Sequence, residues 1–265
     1  MNEVGPDGPG PPMDATDRGS LSHWKRAVRR QIGALLPRSI RDPIKKGLAS
    51  PSVRWGNLRR LQPFSRSWGF DRGLPIDRVY IEAFLKECAD DIKGTVLEVQ
   101  DSRYTRLFGG ERVARAEVLD IDPHNHNATI VADLNAANNL PDDSFDCIIL
   151  TQTLQLIFEV RSALKDLHRS LKPGGVLLVT VPGITKTQIK LEDTWYWCFT
   201  ATSMQRLLDE LFGEGQTRVT KYGNLLTAVA FLEGLAASEL SEDELAATDP
   251  EYQVIVAARS VKPVA

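Results

Sequence analysis

Asp120 and Asp133 stand 13 residues apart, each closing a short apolar run, Val118-Leu119-Asp120 and Thr129-Ile130-Val131-Ala132-Asp133. A carboxylate at a strand end accepts hydrogen bonds from two hydroxyls at once, which suits a ribose; its plainer use is to cap the next turn. Upstream, Glu98 lies in the run Thr95-Val96-Leu97-Glu98-Val99, and the polar turn Gln100-Asp101-Ser102-Arg103-Tyr104-Thr105 follows it. Further on, Thr151-Gln152-Thr153-Leu154-Gln155 follows the apolar run Phe145 to Leu150. The amides of Gln152 and Gln155 orient an acceptor group but are weak bases. Asp101, Asp193 and His124 are candidate general bases, and the sequence selects none of them, so the catalytic residue is unassigned. His124 and His126 flank Asn125 in a turn and read as surface histidines; no Cys/His cluster has metal spacing, so no metal is expected.

These groups need a scaffold that brings several strand ends to one rim. The runs are short, rich in β-branched residues and Leu, and nearly free of alternation, as strands covered on both faces are. Helical spacing over Val160, Leu164, Leu167 and Leu171 ends at Pro173-Gly174-Gly175, which feeds a fifth strand, Val176 to Val181. Tandem Gly109-Gly110 stops the helix after the first strand. Trp195, Tyr196, Trp197 and Phe199 crowd ahead of a helix capped near Thr202, either as an acceptor pocket or as cover for the sheet. The tail reads as a strand from Arg218 to Tyr222, a helix from Leu225 to Leu235, an acidic turn and a last strand from Tyr252 to Ala258. Strand ends in such doubly wound α/β sheets are where ligands bind.

In this order, with Leu140-Pro-Asp-Asp-Ser-Phe-Asp146 ahead of Leu171-Lys-Pro-Gly-Gly175, the set resembles the class I S-adenosylmethionine-dependent methyltransferases, in particular methyltransferase type 11, over roughly Tyr80 to Phe212. The resemblance implies a seven-stranded Rossmann-like sheet with an antiparallel seventh strand, and S-adenosylmethionine as cofactor. It implies cofactor contacts at Glu98, Gln100, Asp101, Asp120 (ribose, with Asp122 as the understudy), Asp133 and Leu134 (adenine) and Thr151, and substrate contacts at Gln152, Gln155, Trp195 and Trp197. O-methylation of a small-molecule or glycan-type acceptor is the expected reaction. The family's glycine-rich turn is missing: Gln100, Ser102 and Tyr104 occupy its glycine positions. The alternative is therefore a catalytically inactive binding or regulatory protein on the same fold. A nicotinamide oxidoreductase is disfavoured, since its glycine fingerprint is equally absent.

Composition, 42% hydrophobic and 25% charged over 265 residues, suits one large domain with appendages. Residues 1–20, rich in Pro and Gly, read as a disordered tail, 21–72 as a basic helical arm and lid, and 73–265 as the α/β domain. The arm carries 13 Lys and Arg against Asp42 and Asp71, whereas the net charge of the whole chain is -3. Leu21, Trp24, Val28, Ile32 and Leu35 give the arm a helical apolar stripe. Its expected uses are packing on the acidic body, docking on a protein partner, or peripheral membrane contact through residues 21–60; nucleic acid is not expected. Around Trp68 to Glu82, Arg72, Asp77, Arg78 and Tyr80 are further candidates for substrate or cofactor contact, with ion pairing inside Asp71-Arg72 and Asp77-Arg78 as the plainer reading. Three scattered cysteines and no membrane-length apolar run point to a cytoplasmic protein, at most peripheral to the inner membrane face.

Overall fold

The computed structural model describes residues 56–136, 140–188 and 193–264. The tail and most of the basic arm, including its amphipathic stripe, lie outside these residues. The chain divides into two units, 1–60 and 61–265, and in the first the described regular structure is a single 3-10 turn, Gly56–Leu58.

The second unit is a seven-stranded sheet: β1 (Gly94–Val99), β2 (Val113–Asp120), β3 (Ile130–Val131), β4 (Phe145–Thr151), β5 (Leu171–Pro182), β6 (Thr217–Tyr222) and β7 (Ile255–Val261). Their order is β3-β2-β1-β4-β5-β7-β6. Strands β1 to β5 run parallel, and β7 is antiparallel to both β5 and β6. This is the seven-stranded Rossmann-like sheet that the sequence implied, including its reversed seventh strand.

Alternation along the central strands explains why they read as continuous apolar runs. Leu97, Ile148, Leu150, Leu177 and Val179 point into one core with helices α2 (Val160–Ser170) and α3 (Ala201–Phe212). Their neighbours Val96, Cys147, Ile149, Val176 and Leu178 point into the other, with α1 (Ile76–Glu87) and α4 (Leu225–Glu233). Both faces are buried, so the period-2 signal vanishes from the sequence. Helix ends are fixed locally. Thr200 with Ser203 and Asn224 with Thr227 form reciprocal caps, and Gly234, at φ +74°, ends α4 in the left-handed conformation.

Several boundaries differ from expectation. Strand β5 begins at Leu171, because Leu171 already pairs with Phe145 across a register shift. Strand β7 starts at Ile255, three residues late, since the Tyr252 N–H closes a turn on the Asp249 carbonyl at 3.0 Å. Strand β3 keeps two residues, and the acidic turn contains a short helix α5 (Glu242–Ala246) capped by Ser241.

Residues 61–75 are fastened to the segment after α4. Phe64 and Ser65 donate backbone N–H groups to the Glu233 carbonyl, at 2.8 and 3.2 Å, and Ala237 donates to the Leu74 carbonyl at 2.8 Å. Arg72 Nε donates to Glu239 Oε2 at 2.9 Å, with a second bond from its Nη2 to Oε1. Gly234 lies so close that a Cβ there would meet the Ser65 carbonyl oxygen at 2.3 Å. Thus Arg72 pairs with Glu239 rather than with Asp71, while Asp71 accepts the Ser65 hydroxyl.

Candidate functional site

The parallel register aligns the strand ends one after another. Val99 pairs with Leu119, so the next residues, Gln100 and Asp120, are brought to the same rim, and the Gln100 N–H continues the ladder to the Leu119 carbonyl at 2.8 Å. Asp120 in turn pairs with Val131, and the Ala132 N–H reaches the Asp120 carbonyl at 3.0 Å, which sets Asp133 just beyond β3. On the other side, Glu98 pairs with Ile149 of β4, whose end presents Thr151 and Gln152.

Gln100 is exposed and adopts φ +75°, the left-handed region in which a side chain is disfavoured and glycine is not. The turn therefore keeps the backbone form expected of glycine at its first position. Ser102 and Tyr104 are buried instead of standing over the rim: the Ser102 hydroxyl accepts from Arg106, and the Tyr104 ring joins the α1-side core. The Tyr104 hydroxyl lies 3.4 Å from Arg78 Nη1. Beneath the turn, Glu98 is 2% exposed and accepts the Tyr104 N–H at 3.0 Å and the Thr105 N–H at 2.7 Å. Burial pushes its carboxyl pKa up, opposed by Thr105 and the two N–H donors.

Asp120 is half-buried, with Oδ1 accepting the Asp122 N–H at 3.0 Å and Oδ2 accepting Asn125 Nδ2 at 2.6 Å. Each carboxylate oxygen can accept two hydrogen bonds, so Asp120 retains capacity for hydroxyls. Asp133 Oδ1 accepts the Asn135 N–H at 2.8 Å, and Asn135 Oδ1 accepts the Phe158 N–H at 2.9 Å. That bond ties the β3 turn to an exposed aromatic group: Phe158 meets Tyr196 edge-on at 5.3 Å and stacks on Trp197 at 5.9 Å, and Trp197 Nε1 donates to the Ile157 carbonyl at 2.9 Å. Leu134 is buried in the α2-side core. Asp101 is exposed, with Oδ1 taking the Arg103 N–H at 2.8 Å, while Arg103 pairs with Glu82 at 3.0 Å.

Gln152 has φ +49° and Gln155 is 2% exposed. Gln155 Nε2 donates to the Gln152 carbonyl at 2.8 Å, and the Gln155 carbonyl accepts the Tyr196 N–H at 2.8 Å, so the β4 end and the segment after β5 form one patch. Three buried polar atoms of this patch have no hydrogen-bond partner among the described residues: Gln152 Nε2, Gln155 Oε1 and Trp195 Nε1. An unmatched buried donor or acceptor costs about 1–3 kcal/mol, so a bound group that pairs with them would be favoured. Trp195 stacks on Trp68 at 6.3 Å, and Lys186 Nζ sits 3.3 Å from the Trp68 ring centre. Partial burial, with Arg66 nearby, lowers the Lys186 pKa.

Of the other sequence candidates, Arg72 and Tyr80 are engaged in the fold: Arg72 in the pair with Glu239, and Tyr80 through its hydroxyl bond to the Leu245 carbonyl. Asp77 is buried at the start of α1, and Arg78 stands 4.0 Å from it, beside Tyr104. Asp193 and His124 are exposed. Sequence reading passed over Ile121, 62% exposed beside Asp120, and also Asn125, Phe158 and Trp68. An apolar residue directly after a strand-end acid was a usable signal for the first; nothing local marked the others. Among the described residues no cluster of His, Cys, Asp and Glu has the arrangement of a metal site, and no helix is long and apolar enough to cross a membrane.

Residues 82–179 match the family model described as "Methyltransferase domain". Among solved structures, a SAM-dependent methyltransferase from Archaeoglobus fulgidus is similar at 12% identity and a TM-score of 0.48, over 70% of this chain and 94% of that one. The N-methyltransferase NodS from Bradyrhizobium japonicum, in complex with S-adenosyl-l-homocysteine, gives 14% and 0.46, over 72% and 90%. A complex of the Haloferax volcanii Trm112 methyltransferase activator with a methyltransferase gives 15% and 0.46, over 71% and 92%. Comparison with curated proteins gives no match.

Proposed function

We propose, on the premise that residues 82–179 form a methyltransferase domain of type 11, that the chain is an S-adenosylmethionine-dependent methyltransferase acting on a hydroxyl of a small-molecule or sugar-containing acceptor. The observation that carries this reading is the shared rim on which register aligns Gln100, Asp120 and Asp133. Asp120 holds the ribose hydroxyls and Asp133 the adenine amino group. Leu134 backs the base, and Gln100, Asp101 and Thr151 face the methionine end. Glu98 braces the turn from below.

When bound, S-adenosylmethionine supplies a methyl group on a sulfonium, a leaving group that is already activated. Alignment at ~3 Å is then the main task left to the protein. Without a partner among the described residues, Gln152 Nε2 offers a donor and Gln155 Oε1 an acceptor, a complement that suits a neutral hydroxyl. The exposed rings of Phe158, Tyr196 and Trp197 support a substrate with a broad, weakly polar face such as a sugar.

Calorimetry with S-adenosylhomocysteine, followed by a methyl-transfer assay over hydroxylated and amine acceptors, tests the reading. Measurable binding is expected, with the label appearing on a hydroxyl. Asp120→Ala should weaken binding about tenfold or more, as loss of hydrogen bonds to a charged group does. No heat at millimolar ligand ends the enzyme reading, and unchanged affinity in Asp120→Ala ends the ribose assignment.

A further inference from the structure

The Asn125 side chain joins two parts of the rim that the sequence treats separately. Its Nδ2 donates to the Gln100 carbonyl at 2.8 Å and to Asp120 Oδ2 at 2.6 Å. Its Oδ1 accepts the Asn127 N–H at 3.0 Å, and because a backbone N–H can only donate, this contact fixes which end of the amide carries the protons. All three groups of the Asn125 amide are therefore committed. Gln100, at φ +75°, holds a conformation that a glycine would adopt freely. Its N–H is tied to Leu119 and its carbonyl to Asn125, so both ends of the strained residue are held from outside.

We infer that Asn125 is a positioning residue that takes over the work of the missing first glycine, locking the left-handed turn at Gln100 and the carboxylate of Asp120 into one unit. The inference rests on Asp120 being the ribose acceptor. A glycine needs no such tether, whereas a glutamine without it relaxes toward ordinary dihedral angles and takes the turn away from the rim. Sharing one Nδ2 between a carbonyl and a carboxylate also orients the plane of Asp120, leaving its remaining lone pairs facing outward together.

The test is a set of calorimetric titrations with S-adenosylhomocysteine on the full chain, each variant accompanied by a thermal melt. Asn125→Ala should weaken binding about tenfold, equivalent to ~1.4 kcal/mol. The isosteric Asn125→Asp keeps the shape, loses the donor and should weaken it at least as much. In the Gln100→Gly background, Asn125→Ala should cost about threefold or less, because glycine holds the turn unaided. In the Asp120→Ala background it should likewise cost less than in the unaltered chain, because only the bond to the Gln100 carbonyl is left to lose, a result that general loosening of the loop would not give. Equal losses in all three backgrounds, or no loss in any, overturn the inference. Absence of binding by the unaltered chain defeats the cofactor reading instead, so the two failures are distinguishable.

Discussion

Glu98 is a carboxylate that works from beneath, gripping two backbone N–H groups at the end of the turn that would face the cofactor. Replacing it with Gln leaves an amide donor opposite one of those donors, so Glu98→Gln should cost about 1–3 kcal/mol in denaturant unfolding. Because burial holds the folded pKa above the ordinary carboxylate value, the Glu98 contribution is fullest at low pH and declines as pH rises through the raised value. Glu98→Gln should remove that part of the pH dependence; an unchanged slope would show that Glu98 titrates normally. At this scale the sequence was partly legible. Asp120 and Asp133 announce themselves as acids closing apolar runs, and register sets Asp120 opposite Val131, two residues before Asp133. The tether through Asn125 was not legible, since it depends on a side chain meeting a carbonyl 25 residues away in sequence. Nor could the sequence say that Tyr104 turns inward: its position in the motif predicts a side chain above the turn, and the space beside α1 decides otherwise.

Among the elements, the segment 61–75 shows how a stretch that reads as a loose lid becomes fixed. Backbone bonds to Glu233 and Ala237, close packing on Gly234 and the Arg72–Glu239 pair fasten it along its length. Arg72, together with the Ala236 N–H, holds Glu239 at about 2, well below the usual carboxylate range. Its stabilising effect is then present above the ordinary value of ~4.3 and is lost as pH falls toward about 2. Arg72→Met should therefore lower Tm more at about pH 6 than at about pH 2.5. The same decrement at both values would mean that the pair contributes nothing. Gly234→Ala tests the packing directly: a Cβ at φ +74° and 2.3 Å from the Ser65 oxygen should lower Tm and speed proteolysis at Arg66. Turn chemistry made some element ends readable, as at Gly109-Gly110, whereas Pro173-Gly174-Gly175 falls inside β5. Strand lengths were misread where pairing across a bulge, as at Leu171 with Phe145, extends a strand past the apolar run that marks it.

The molecule as a whole has one sheet serving two cores, and successive residues of the same strand belong to opposite ones. Ile148 and Ile149 are both fully buried, one on each face. Truncating either to Ala should cost about 2–5 kcal/mol. Both variants should melt in a single transition seen alike by circular dichroism and fluorescence, because neither core exists without the shared strands. Two separate transitions would show that the layers unfold independently. The fold class was readable because such doubly covered strands give unbroken apolar runs, whereas the order of the last two strands rests on antiparallel pairing that no local pattern encodes. One further property follows from the ring of Trp68, which has an ammonium group over its centre at 3.3 Å and a second indole stacked at 6.3 Å. A nearby positive charge displaces the excited-state dipole of an indole and alters the colour and yield of its light. Detachment of this segment will therefore be visible without any dye, and intrinsic emission recorded on adding a ligand will report whether the stack of Trp68 and Trp195 rearranges.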